Sequence, residues 1–242
     1  MDGRQVTAGC FCITGAIRMT KRAVIFDLDG TLVHSSPDIA YHLNYALDQV
    51  FGTAGTLSDH DVEMLIGGGM LDLIGKGIDA LGVTPNEEEA EAVLKLYRQA
   101  YLDEPVVKTA LYDGVLTMLD AMESRGMALG LCTNKSEATA YRVLDHFNLT
   151  ARFAAIIGGD TTPARKPDPA PLQEACLRIG VSAEQALMVG DSKADFGAAH
   201  KAGVKIALVD WGYSSVDIHS LGGDIVLSDY DGFAAKAEAL IT

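Results

Sequence analysis

Cysteine, positive charge and long apolar runs are all in short supply in this chain. Four cysteines (Cys10, Cys12, Cys132 and Cys176) in 242 residues do not make a disulfide framework. Cys10 and Cys12 form a C-x-C, but no second cysteine pair or nearby histidines complete a zinc site. Reduced thiols in a cytoplasmic protein are therefore expected. Lys and Arg total 19 against 33 Asp and Glu, for a net charge of −14. That balance lacks the basic footprint of a nucleic-acid binder and is repelled by anionic membranes. No apolar run approaches the roughly 18 residues that suggest a membrane span. The six histidines show neither H-x-H nor H-E-x-x-H spacing and receive no role. There is no internal repeat and no low-complexity tract. Residues 8–17 form a mild apolar patch without the basic flank or small-residue end of a signal peptide. Residues 1–18 are read as a loose tail, with Met19 as an alternative start.

The rest is ordinary globular composition, 48% hydrophobic and 21% charged, enough for one large domain or a core with a smaller companion. Residues 23–26 are a short apolar run rich in strand formers, and similar runs recur at 127–132, 154–157, 186–189, 205–209 and 225–227. Helical stripes lie between them. Val115, Met118, Leu119 and Met122 follow i, i+3, i+4, i+7, and Leu172, Ala175, Cys176 and Ile179 repeat the pattern. The alternation predicts an α/β fold, a doubly wound, mostly parallel, Rossmann-like sheet with helices on both faces.

Residues 36–107 break the pattern. They hold no good strand run, and Ser36-Pro37 reads as an N-cap followed by a first-turn proline. Ile39, Leu43, Ala46, Leu47 and Val50 then make one stripe, and Thr84-Pro85-Asn86-Glu87 reads as another capped start. The expectation is a helical cap domain over 36–107, inserted into a core of residues 19–35 and 108–242. Between Ser36 and Glu104 there are 13 acidic and 3 basic residues. Most of that acidity reads as solvated helix surface, which leaves Lys76, Lys95 and Arg98 as possible anion contacts.

In an open parallel sheet, ligands collect at the carboxyl ends of the strands, and polar clusters fall there. The first is Phe26-Asp27-Leu28-Asp29-Gly30-Thr31. Two carboxylates two residues apart can share a divalent cation, one attacking phosphorus while the other shuttles a proton, and hard oxygen ligands suit Mg²⁺. Alone, this Asp-x-Asp-Gly also reads as a turn or part of a calcium loop. The second is Thr133-Asn134 after the strand at 127–132, a phosphate seat or simply an N-cap. The third is Lys166 in Arg165-Lys166-Pro167-Asp168-Pro169, a counter-charge for a transferring phosphoryl group or a surface lysine. The fourth is Gly190-Asp191-Ser192-Lys193-Ala194-Asp195. There Asp191 is either a metal ligand or an N-cap, and Asp195 faces the same way one turn later.

Taken together, in order and spacing, these clusters resemble the four motifs of the haloacid dehalogenase superfamily, and the resemblance runs from about Lys21 to the C-terminus. It implies that Asp27 forms an aspartyl-phosphate and that Asp29 protonates the leaving alcohol and then activates water. It assigns phosphate binding to Gly30, Thr31, Thr133, Asn134 and Lys166, with Lys166 also balancing the charge. Mg²⁺ is implied on Asp27, the Asp29 carbonyl and Asp191, with Asp195 supporting. The helical insert becomes a lid that excludes water.

Within the superfamily, Gly158-Gly159-Asp160-Thr161, the run from Lys166 to Leu172, Ser36-Pro37-Asp38-Ile39 and Trp211-Gly212-Tyr213 look most similar to bacterial phosphoglycolate phosphatases. That resemblance implies a small phosphorylated metabolite bearing a carboxylate. The reading loop is then Ile66-Gly67-Gly68-Gly69, where the extra Gly68 is expected to loosen the turn, and Lys76 is the cap residue expected to meet the carboxylate. A solvated helix lysine is the plainer account of Lys76. Alternatives are a phosphatase for a sugar phosphate or pyrophosphate, a β-phosphoglucomutase-like enzyme, or a receiver-like phospho-acceptor module, for which Asp29 and the large insert have no use. Either a monomer or a homodimer is compatible with the sequence.

Overall fold

The computed structural model describes residues 21–53 and 55–241. The tail expected over residues 1–18, the alternative start at Met19, and Cys10 and Cys12 lie outside them. Six strands form one parallel sheet: β1 (Arg22–Phe26), β4 (Met127–Cys132), β5 (Phe153–Ile157), β6 (Ala186–Gly190), β7 (Lys205–Val209) and β8 (Ile225–Leu227). Their spatial order is β5-β4-β1-β6-β7-β8. Every pairing is parallel, with Phe26 level with Leu131 on one side and Val189 on the other.

Strand periodicity sorts each strand's side chains to opposite faces. Val24 and Phe26 enter one buried cluster with α5 (Val115–Ser124), α6 (Glu137–His146) and α9 (Phe233–Leu240). Ala23 and Ile25 enter the other, with α7 (Ala170–Ile179) and α8 (Lys193–Ala202). Burial on both faces explains why these strands read as continuous apolar runs instead of alternating ones. Phe26 is fully buried, and truncating such a residue to alanine costs about 3–5 kcal/mol.

β1 is the switch point. The chain leaves it for β4 on one side and later returns to β6 on the other, opening a crevice beyond the carboxyl end of β1. Over this crevice lie four helices: α1 (Ser36–Phe51), α2 (Asp59–Glu63), α3 (Met70–Ala80) and α4 (Glu87–Asp103). They share a hydrophobic cluster of their own, centred on Leu43, Leu47, Val62, Ile78, Val93 and Tyr97. Asn86 and Glu89 form the capping box that starts α4. At α1 the structure differs from the sequence reading. Ser35 holds the N-cap position without a side-chain cap bond, and the Ser36 hydroxyl instead donates to Glu63.

The two crossings between sheet and insert are joined by a ribbon that periodicity does not reveal. β2 (Val33–His34) pairs antiparallel with β3 (Ala110–Leu111), two residues each. Beside it the buried Asp38 carboxylate accepts hydrogen bonds from the N–H groups of Val107, Lys108 and Thr109 and from the Thr109 hydroxyl. Burial alone would raise the Asp38 pKa, but these donors outweigh it and hold the carboxyl below its ordinary value.

Candidate active site

Asp27 is the residue immediately after β1. Its backbone N–H still donates to Val189 O at 2.8 Å, while its Oδ1 accepts the Leu28 N–H at 2.7 Å. The carboxylate is thus fixed at the strand end and aimed into the crevice. Gly30 has φ 79°, and a Cβ there would meet the Asp191 carboxylate oxygen at 2.4 Å. Glycine therefore both makes the turn and gives Asp191 room. Thr31 is fully buried, and its hydroxyl donates to Asp191 Oδ1 at 3.2 Å. Neither Gly30 nor Thr31 lines the cavity. The structure places both behind Asp191.

Asp27, Asp191 and Asp195 each offer a carboxylate oxygen within 4.8 Å of the others. Burial, together with the Asp195 charge, pushes the Asp27 carboxyl up to about 6, partly countered by Lys166. Asp191 is raised as well, first by burial and then by the charges of Asp195 and Asp27. Crowded, buried hard-oxygen donors of one sign fit a hard divalent cation, which would relieve their repulsion. The two oxygens of Asp195 already have partners. One accepts Lys166 Nζ at 2.6 Å, and the other accepts the Ser192 hydroxyl and N–H in the capping box of α8.

Lys166 is buried, and its ammonium contacts Cys132 O at 2.6 Å, Asp195 at 2.6 Å and Asp27 Oδ1 at 3.2 Å. Burial opposes its charge, yet the Asp195 and Asp27 carboxylates prevail and raise its pKa. It remains a cation directly against the Asp27 carboxylate. Thr133 and Asn134 follow β4 into the cavity wall. The Asn134 side chain acts as a fastener. Its Nδ2 donates to Gly67 O at 2.8 Å and Lys166 O at 2.9 Å, and its Oδ1 accepts the Lys166 N–H. One amide thus ties the lysine loop to the insert's glycine loop.

The cavity has two kinds of wall. The core contributes Asp27, Asp29, Thr133, Ser136 and Asp191, while the insert contributes Ile39, Ile66, Met70, Leu73, Tyr97 and Tyr101. Gly67 and Gly69 line it, but Gly68 turns away against Asp72. Lys76 pairs with Asp72 at 2.6 Å, one helical turn back, and faces a neighbouring groove shared with Pro167 and Lys193. The structure therefore does not bring Gly68 or Lys76 into the cavity that holds Asp27. It brings in Lys135 instead, whose ammonium meets both Asp29 oxygens at 2.8 and 3.0 Å and the Tyr101 hydroxyl at 2.8 Å.

Three of the site's residues received no role from sequence reasoning: Lys135, Tyr101 and Tyr213. Lys135 directly follows Thr133-Asn134, but adjacency in a turn does not say which way a side chain faces. Tyr101 extends the α4 stripe of Val93 and Tyr97 and so passes for core. Tyr213 sits in the noted Trp211-Gly212-Tyr213 loop. Its N–H donates to Asp191 at 2.7 Å, and its hydroxyl accepts the Ser35 and Ser36 N–H groups, so it braces the Asp191 loop against the start of α1.

A parallel sheet with a buried carboxylate at its switch point, a buried lysine beside it and an inserted helical unit defines a class. The chain belongs to the haloacid dehalogenase-like hydrolase family, whose model matches residues 24–209. It is 38% identical over 223 residues to the phosphoglycolate phosphatase of Rhodospirillum rubrum, covering 90% of each chain. It is 37% identical to the phosphoglycolate phosphatase of Aquifex aeolicus, covering 86% of this chain and 92% of that one. Among solved structures it is similar to a predicted phosphoglycolate phosphatase from Haemophilus somnus. The TM-score is 0.84 and the identity 30%, with 90% of this chain and 99% of that one covered.

Proposed function

We propose that the protein is a Mg²⁺-dependent phosphate-monoester hydrolase whose substrate is 2-phosphoglycolate. The observation that carries the chemistry is the contact of Asp27, at the end of β1, with buried Lys166 at 3.2 Å, beside Asp191 and Asp195. The relatives' names support the choice of substrate.

Asp27 Oδ attacks phosphorus and the bond from phosphorus to the ester oxygen breaks. The departing glycolate oxygen takes a proton from Asp29, and Asp27 is left as an aspartyl-phosphate. Asp29, now a carboxylate, takes a proton from water as that water attacks the same phosphorus, freeing Asp27 and inorganic phosphate. Lys166 balances the charge of Asp27 through both steps, and Asp195 holds Lys166 in place. Mg²⁺ would be held by Asp27, Asp191 and the Asp29 carbonyl, with Asp195 supporting. When bound it supplies charge neutralisation that lets a dianionic ester approach three carboxylates. Residues 36–107 act as the lid, closing an apolar wall over the reacting atoms and excluding water other than the hydrolytic one.

The test is phosphate release, with Mg²⁺ present, from a panel of 2-phosphoglycolate, sugar phosphates, pyrophosphate and simple alkyl phosphates, with Asp27→Asn as the control. The expected result is a kcat/KM for 2-phosphoglycolate that stands clear of the panel. Equal low rates on all esters would remove the substrate assignment but leave the hydrolase reading in place. No phosphate from any ester would remove both.

A further inference from the structure

A carboxylate on the substrate needs a cation that the phosphate has not already claimed. Lys166 faces Asp27, so it belongs to the phosphoryl end. Lys76 is engaged by Asp72 on the outer side of the glycine loop. Among the described residues lining the cavity, Lys135 is the one cation. Its side chain is 6% exposed, so solvent does little to screen it.

We propose that Lys135, together with the Tyr101 hydroxyl, recognises the substrate's carboxylate and sets the preference for 2-phosphoglycolate. This rests on the hydrolase reading above and names the residue that makes it specific. Geometry places the lysine at the right distance. Asp29 protonates the ester oxygen, and Lys135 Nζ lies 2.8 Å from Asp29 Oδ1. An ester oxygen hydrogen-bonded to Asp29 is then within about 5.6 Å of the ammonium, two hydrogen-bond lengths in series. One methylene separates that oxygen from the carboxylate of a glycolate ester, so the anion arrives at the ammonium while phosphorus arrives at Asp27.

The surroundings agree with this. Nζ also lies 4.5 Å from the centre of the Tyr101 ring, so the ring face and the hydroxyl together fix where the ammonium sits. Burial keeps the Tyr101 phenol neutral. While its oxygen accepts from Lys135, its proton remains to be donated to a carboxylate oxygen. Apart from Tyr97 and the glycine loop, the rest of the insert wall is apolar (Ile39, Ile66, Met70 and Leu73), so an anion placed against those side chains finds no partner. An ester without the carboxylate leaves Lys135 on Asp29 and gains nothing from it. An ester with it shares the lysine and meets the acid and the cation in one place.

The test compares 2-phosphoglycolate with ethyl phosphate, the same ester with a methyl group in place of the carboxylate, in wild type, Lys135→Met and Tyr101→Phe. In Lys135→Met, kcat/KM for 2-phosphoglycolate is expected to fall roughly 10- to 150-fold, the loss of one charge-assisted contact. Ethyl phosphate should lose only the part that both esters share when Asp29 loses its ion-pair partner, so the ratio of the two kcat/KM values falls. Tyr101→Phe should show the same selectivity at smaller amplitude, mainly in KM. Equal losses on both esters in Lys135→Met, or an undiminished preference, would overturn the proposal. The first result would reduce Lys135 to a residue that positions Asp29. If wild type itself shows no preference between the esters, the 2-phosphoglycolate reading fails and this inference fails with it.

Discussion

The core wall of the cavity and the wall supplied by the helical insert are held in place by different means. On the core side, Asp27, Thr133 and Asp191 each directly follow a strand, and Lys166 is clamped between the end of β4 and the first turn of α8. Asp27 is locked by its own backbone bond to Val189 and by the Leu28 N–H, and Lys166 by Cys132 O and Asp195. The insert wall rests on a hydrophobic cluster of its own. It meets the core through a handful of polar contacts: Asn134 to Gly67, Lys135 to Tyr101, Tyr213 to the start of α1, and Asp38 to Lys108 and Thr109. Over-determined geometry suits a reaction in which a nucleophile, an acid and a counter-charge must coincide. A separately packed wall with few tethers suits a surface that must part to admit substrate and that selects which substrate enters.

That contrast can be broken from either side. The largest effect is expected on the core wall. Asp27→Asn keeps the shape and removes the nucleophile, so kcat should fall by roughly four orders of magnitude or more on every ester, as steady-state phosphate release will show. A change on the insert wall or its lysine should be selective instead, as set out above for Lys135 and Tyr101.

The junction comes next. Asp38→Ala leaves the N–H groups of residues 107–109 and the Thr109 hydroxyl without their shared acceptor and should cost about 3 kcal/mol. Urea unfolding reads this as a lower midpoint with an unchanged slope.

A smaller, pH-dependent effect follows from the crowded carboxylates. The folded Asp27 carboxyl titrates near 6 against an ordinary 3.8. In the metal-free protein, folding therefore retains a proton between these values, and stability falls as pH rises through that window. Mg²⁺ requires the ionised carboxylates, so its stabilising shift in Tm should be larger near about pH 7.5 than near about pH 4.5. A shift independent of pH would contradict the crowding account. The smallest effect is expected for Lys76→Ala, which should leave KM for 2-phosphoglycolate within about twofold, as for an exposed i,i+4 ion pair.

The same contrast explains what the sequence reveals. The strands of the sheet are buried on both faces, so their apolar runs stand out, and the residues just past their ends are found by following each run to its stop. Asp27, Thr133 and Asp191 are legible for that reason. Lys166 is legible only by its company, because its loop runs from β5 to α7 without periodicity. The insert's helices are equally plain from their stripes, but a stripe shows that Tyr101 is buried without showing what its hydroxyl touches. The direction of Lys135 and the pairing of Lys76 with Asp72 depend on how one unit lies over the other, and no local pattern encodes that. The β2–β3 ribbon, two residues a side, is too short to leave a period at all.

The central claim is that Asp27 carries the phosphoryl group between substrate and water. Acid-quenching the enzyme during turnover of 2-phosphoglycolate with Mg²⁺, reducing it with borohydride and sequencing its peptides by mass spectrometry tests this directly. An acyl phosphate is reduced to the alcohol, so the account predicts homoserine at position 27, and none in protein quenched without substrate. Homoserine at another aspartate position, or none anywhere in an enzyme that turns over, would contradict it.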